Sequence, residues 1–194
     1  MSTVINVTDT AIDSRRRFLK SASGLTLTAL ALGTITAPAG WAAETSGSES
    51  GDVQILNVAL GLEHEAIAAY ALAAKSGLLT PGVLKVALEF QGQHKAHADV
   101  LASTVHKLGG HAVVAKSIKA YHFPVSGLNN QADVLRFAAG LEHAAATAYL
   151  GAVPQFHNRA LSKAAASIMG DETMHWAILR NALGENPVPM AFIG

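Results

Sequence analysis

Gly61-Leu62-Glu63-His64-Glu65-Ala66-Ile67-Ala68-Ala69-Tyr70 returns later in the chain as Gly140-Leu141-Glu142-His143-Ala144-Ala145-Ala146-Thr147-Ala148-Tyr149. A second pair of segments follows the same rule. Gly92-Gln93-His94-Lys95-Ala96-His97 aligns with Gly170-Asp171-Glu172-Thr173-Met174-His175. The offsets are 79 and 78 residues, so one unit of two segments has been duplicated, consistent with a pseudo-twofold axis.

Each segment lies on a helical stripe. Three, four and seven residues from Glu63 stand Leu56, Ala59, Leu60, Ala66, Ile67 and Tyr70. Glu142 has Leu135, Ala138, Ala139, Ala145, Ala146 and Tyr149 at the same spacings. His94 and His97 share a face with Ala87, Phe90 and Leu101, and Glu172 and His175 share one with Ala165, Ile168 and Leu179. All six polar residues therefore point towards a core.

Breakers divide the region into four helices. The first is predicted from Val53 to Lys75, ending near Gly77. Thr80-Pro81 starts the second, with Thr80 as cap, and Gly109-Gly110 ends it after Leu108. About twenty residues with little periodicity follow, including Tyr121-His122-Phe123-Pro124. The third helix begins near Asn130 and stops before Pro154; the fourth is capped by Asn158 and runs to Leu183. Connections in the order short, long, short make two antiparallel hairpins joined by one crossover along the bundle. The predicted fold is all-α, a four-helix bundle over residues 53–184 with an extended C-terminal tail, 185–194.

Ionised carboxylates on an apolar stripe are costly unless paired. No Lys or Arg lies on these stripes, which leaves protonation, a histidinium or a metal cation as the compensating partner. Carboxylates converging from several helices, with histidines one turn away, favour the metal. Glu172 and His175, three residues apart, can reach one ion together.

This arrangement resembles the ferritin-like superfamily of di-iron and di-manganese carboxylate bundles. There, two helices each supply a Glu and the other two each supply Glu-x-x-His. The resemblance covers Val53 to Leu183. It assigns Glu63 and Glu142 as the single glutamates, Glu172 and His175 as one complete Glu-x-x-His, and His97 as the histidine of the other. His94 departs from the pattern, standing where the family has a glutamate that often bridges the two ions. It is a candidate ligand, a hydrogen-bond donor to one, or a replacement that empties half the site. The implied cofactor is iron or manganese, two ions or one. The implied chemistry is reaction with a small oxidant, dioxygen or peroxide, as in oxidases, peroxidases and catalases. The alternative is a non-catalytic metal-binding or stress-associated protein with a partial site.

Other histidines read differently. His64 and His143 each follow a glutamate by one residue, about 100° round the helix, and suit supporting or interhelix roles. His106, His111, His122 and His157 lie near helix ends or in connections and are expected in solvent. Tyr70 and Tyr149 are expected to pack in the core; beside a redox metal they could also carry electrons.

At the N-terminus, Ser14-Arg15-Arg16-Arg17-Phe18-Leu19-Lys20 resembles the twin-arginine export signal at every specified position. A moderately apolar stretch from Ser21 to Thr36 follows, with small residues at Ala37-Pro38-Ala39 and Gly40-Trp41-Ala42 as alternative cleavage sites. Residues 1–43 are therefore expected to be a signal peptide read by the twin-arginine machinery. Residues 44–52 are expected to be a flexible linker, and the mature protein periplasmic. A retained membrane anchor is the alternative, although the apolar run falls short of the roughly 20 residues that a spanning helix needs.

Composition agrees with this reading. Half of the 194 residues are hydrophobic and 14% are charged. From Glu44 onward there are 10 Lys and Arg against 12 Asp and Glu, so nothing points to nucleic acid. With no cysteine, disulfides and iron–sulfur clusters are excluded and any metal must be held by His and carboxylates. A homo-oligomer is compatible with the sequence.

Overall fold

The computed structural model describes residues 49–194, with side chains from Gly51 onward. The twin-arginine pattern, both cleavage candidates and the first half of the linker lie outside the described residues. Within them the chain forms four long helices, α1 (Glu49–Lys75), α2 (Pro81–Lys107), α3 (Gln131–Ala152) and α4 (Arg159–Ala182), and no strand. The all-α bundle read from the repeat is the fold observed.

Helix ends show which contacts set the topology. α1 starts at Glu49, four residues before the expected Val53, so the second half of the expected linker is helical. The reason is Asp52. Its carboxylate is buried and accepts hydrogen bonds from the backbone N–H groups of His157 (2.8 Å) and Asn158 (3.0 Å), joining the start of α1 to the start of α4. At the other end, the Thr80 N–H donates to Gln131 Oε1 at 2.8 Å, which places the starts of α2 and α3 together. Thr80 makes no side-chain cap, contrary to expectation; Pro81 in the first turn begins α2. Asn130 and Asn158 do cap α3 and α4, accepting from the N–H groups of Asp133 and Ala160. Pro154 does not break the chain direction at once, because a short 3-10 turn over Val153–Gln155 continues α3.

Since α2 and α3 begin at one end, residues 108–130 must run back along the bundle. They start at Gly109, in the left-handed region (φ 76°), and Gly110, where a Cβ would come within 2.6 Å of Val53 Cγ1. The crossover is strapped to α1: Asn57 donates to His111 O (3.0 Å) and accepts from the Val113 N–H (2.9 Å). His64 Nε2 lies 3.2 Å from Val113 O, so this histidine serves the crossover.

Two apolar clusters fill the bundle. One holds Leu56, Leu60, Leu101, Val105, Tyr149 and Ile168; the other holds Tyr70, Phe90, Leu135, Trp176 and Leu179. The six polar residues of the repeat belong to neither, and the two tyrosines that contact them come one from each cluster. Replacing Asp52 with Ala should test how strongly the α1–α4 junction holds the hairpins together. Two N–H groups would lose their acceptor, and a loss of about 1–3 kcal/mol in chemical denaturation is expected. An unchanged midpoint would show that the junction is held by packing alone.

Candidate metal centre

Duplication brings four helices to one point. Glu63 comes from α1, His94 and His97 from α2, Glu142 from α3, and Glu172 and His175 from α4. Five are fully buried, with Glu172 at 0% exposure; His97, at 15%, forms the edge of the cluster. The structure thus brings together all six residues picked out by the repeat.

Their donor atoms form two overlapping groups, Glu63, His94, His97 and Glu172, and His94, Glu142, Glu172 and His175. Within each group one atom per residue lies within 4.8 Å of every other. Ligands about 2.0–2.2 Å from a common ion are separated by at most about 4.4 Å, so each group matches a coordination shell with little adjustment. His94 and Glu172 belong to both.

His94 is the hinge of the arrangement. Its Nδ1 is 2.8 Å from Glu63 Oε2 and its Nε2 is 3.3 Å from Glu142 Oε1, so one ring spans the two halves of the duplication. His97 Nδ1 lies 3.2 Å from Glu172 Oε1, and His175 Nδ1 lies 3.4 Å from Glu142 Oε2.

Four further residues complete the centre. The Tyr149 hydroxyl donates to Glu63 Oε1 at 2.5 Å, and the Tyr70 hydroxyl donates to Glu142 Oε1. Each tyrosine serves the glutamate of the opposite repeat. Asp171 Oδ2 faces the outer nitrogens of both His97 (3.3 Å) and His175 (3.5 Å), and Gln93 Oε1 accepts from His175 Nε2 at 2.5 Å. Gln93 and Asp171 occupy the same position in the two repeats, a signal the alignment already contained. The tyrosines share an aligned position too, two turns beyond their glutamates, but spacing alone does not show that a side chain crosses to the other repeat.

The chemistry of this donor set fits a cation. Gln93 Oε1 and the Asp171 carboxylate are acceptors, so they hold the proton of each neutral imidazole on Nε2 and leave the Nδ1 lone pair facing inward. Glu172 is decisive: neither of its buried oxygens has a hydrogen-bond partner, although imidazole nitrogens stand 3.2–3.6 Å away. His97 Nδ1 is unpartnered as well. These atoms converge on shared space more than on one another.

Residues 51–185 match the family described as the ferritin-like domain. This chain belongs to that family. Among solved structures it is similar to a conserved hypothetical protein, Rv2844, from Mycobacterium tuberculosis. The identity is 27% and the TM-score 0.64, with 75% of this chain and 99% of that one covered. No curated protein matches significantly.

His64 and His143, aligned in the repeat, part company in this ferritin-like bundle. His64 holds the crossover, whereas the His143 ring packs on Trp176 at 4.6 Å. His106, His111, His122 and His157 are exposed, as expected.

Without metal, protons carry the compensation. Burial alone would lower the pKa of His94, but the hydrogen bonds it donates to Glu142 and Glu63 outweigh this and push the ring up to about 10. His97 and His175 rise to about 9 for the same reason, opposed by burial and held up by neighbouring carboxylates. Burial also works against Glu63 and Glu142, yet the histidine contacts hold both below the usual carboxylate range. For Glu172 burial prevails and its pKa is raised.

The signs define a pH profile for chelator-treated protein. Histidines raised in the folded state stabilise it fully below about pH 6.5 and lose that contribution as pH climbs through about 9 to 10. Glu63 and Glu142, lowered, stabilise above about pH 4.5 and lose the effect as pH falls further. Glu172 acts in the opposite sense and costs stability as it ionises. Thermal melts of metal-free protein should therefore peak between about pH 5 and 6.5 and decline towards pH 9.5. A flat profile across that alkaline range would mean that the histidines are not charged in the folded state.

Proposed function

We propose that this ferritin-like protein is exported and binds a dinuclear iron or manganese centre that reacts with dioxygen or hydrogen peroxide. The observation that carries the reading is the pair of donor groups sharing His94 and Glu172 in one buried volume. Glu63 and His97 would hold one ion and Glu142 and His175 the other; Glu172, with two oxygens, would be available to either, whereas His94, with one imidazole lone pair, would serve one of them. Such ions, when bound, supply a redox couple with exchangeable coordination positions.

The chain's own residues prepare the site. Tyr149 and Tyr70 fix the orientation of Glu63 and Glu142 by hydrogen bonds across the repeat. Asp171 and Gln93 set the imidazole tautomers, and the two apolar clusters exclude bulk water from either side. His97 and Asp171, at 15% and 23% exposure, mark the side from which solvent and a small oxidant approach. Export rests on the Ser14 to Lys20 pattern, whose machinery would be the first partner, with a periplasmic destination.

One observation favours a second reading, a non-catalytic metal-binding or stress-associated protein. His94 replaces an anionic ligand, and three carboxylates neutralise less charge than four. Metal analysis of protein purified from its native compartment separates the two. About two iron or manganese ions per chain, with consumption of dioxygen or peroxide, support the enzyme. One zinc or none, without oxidant consumption, supports the second reading. Loss of export in a variant with Arg15 and Arg16 both changed to Lys would support the address; unchanged export would remove it.

A further inference from the structure

An apolar pocket of about 160 Å³, open to solvent past Gly82, Ile178 and Ala182, lies at the end of the bundle where α2 and α3 begin and α4 stops. All four helices line it, through Tyr70 of α1, Val83 and Val86 of α2, Ala138 of α3 and Leu179 of α4. Its only polar side-chain atom is the Tyr70 hydroxyl, which is committed to Glu142. Ile178, on its outer wall, is half exposed and marks an entrance from solvent.

Volume and lining together restrict the occupant. A buried water needs two to four polar partners, and this cavity offers none that is free. A charged or strongly polar guest would lose its hydration without compensation. Enclosed apolar cavities of roughly 150 Å³ stay dry and accept guests such as xenon or benzene; this pocket has the same volume and the same apolar lining, with one side open for entry.

We propose that this cavity binds one small uncharged apolar molecule, ranging in size from dioxygen to a six-membered hydrocarbon ring, against the ring of Tyr70. The site is distinct from the metal centre and needs no ion to be occupied. The two share a wall: one side of Tyr70 lines the cavity, and its hydroxyl holds Glu142. A guest therefore rests one side chain away from the carboxylates without displacing a ligand.

Xenon and benzene are the probes. Crystals of the protein under xenon pressure should show one xenon between Val83 and Tyr70, and benzene should raise the melting temperature in a saturable way. Two variants block the space, Ala138→Leu from the inner wall and Val83→Phe from the partly exposed mouth. Each should weaken benzene binding at least about tenfold while its metal content matches the wild type. If Ala138→Leu does not fold, Val83→Phe decides. The proposal is overturned if wild-type crystals show no xenon there, if ordered water fills the cavity, or if the folded variants bind benzene as well as the wild type. Metal content is measured independently, so failure here leaves the reading of the metal centre intact.

Discussion

On the proposed dinuclear reading, changing Glu172 to Gln is expected to remove both metal ions while leaving the metal-free protein at least as stable as the wild type. Glu172 is a member of both donor groups, whereas Glu63 and Glu142 each belong to one. The substitution keeps the volume and removes the charge. Losing a partner that merely orients a ligand costs 10- to 100-fold in metal affinity, so losing an anionic ligand shared by two ions should cost each more than about 100-fold. Metal-free stability moves the other way. Glu172 is buried with both oxygens lacking hydrogen bonds, and burial raises its pKa, so the folded state gives up little with this charge. Metal analysis and melts with and without added metal read both parts. Glu63→Gln serves as the comparison, with one ion expected to weaken and the other to stay. Retention of two ions by the Glu172 variant would sink the shared-ligand geometry.

What the sequence made legible was periodicity. The duplicated Gly-Leu-Glu-His segments, their helical stripes and the short, long, short connections lead to the bundle, because each depends on spacing within one helix or on loop length. Burial of Glu63, Glu142, Glu172 and His175 follows from the same stripes. Less legible was whatever depends on a side chain crossing between helices. Tyr70 reaches the glutamate of the third helix and Tyr149 that of the first; a stripe records which face a residue occupies but not which neighbour it meets. Asp52 reads as linker because a Ser- and Gly-rich stretch precedes it, and only its buried contact with the start of α4 explains the earlier helix start. Gln93 and Asp171 stood aligned in the repeat, yet glutamine and aspartate on a helix are ordinarily solvated. His94 was the open position, and the structure gives it a definite place between Glu63 and Glu142.

That place makes His94→Glu the most informative substitution in the chain. In metal-free protein the ring serves as the cation of the cluster, pushed up to about 10 with Glu63 Oε2 at 2.8 Å and Glu142 Oε1 at 3.3 Å. A carboxylate there removes the positive charge and adds a fourth acid to a buried space, leaving only His97 and His175 to balance it. Breaking a buried charge pair in this way costs roughly 3–5 kcal/mol. For a domain of this size that corresponds to a fall of about 10 °C or more in the metal-free melting temperature. With metal present the sign reverses. Four carboxylates and two histidines are the full ligand complement of the family's dinuclear sites, and the added negative charge neutralises the ions instead of repelling its neighbours. The gap between metal-free and metal-loaded melting temperatures should therefore widen well beyond that of the wild type, and the more weakly held ion should bind more tightly. Titration calorimetry alongside the melts separates the two effects. If the metal-free protein is unchanged, His94 carries no charge in the folded state. If it is destabilised but binds metal no better, the ring is a structural bridge between the two halves of the duplication and not a stand-in for a ligand.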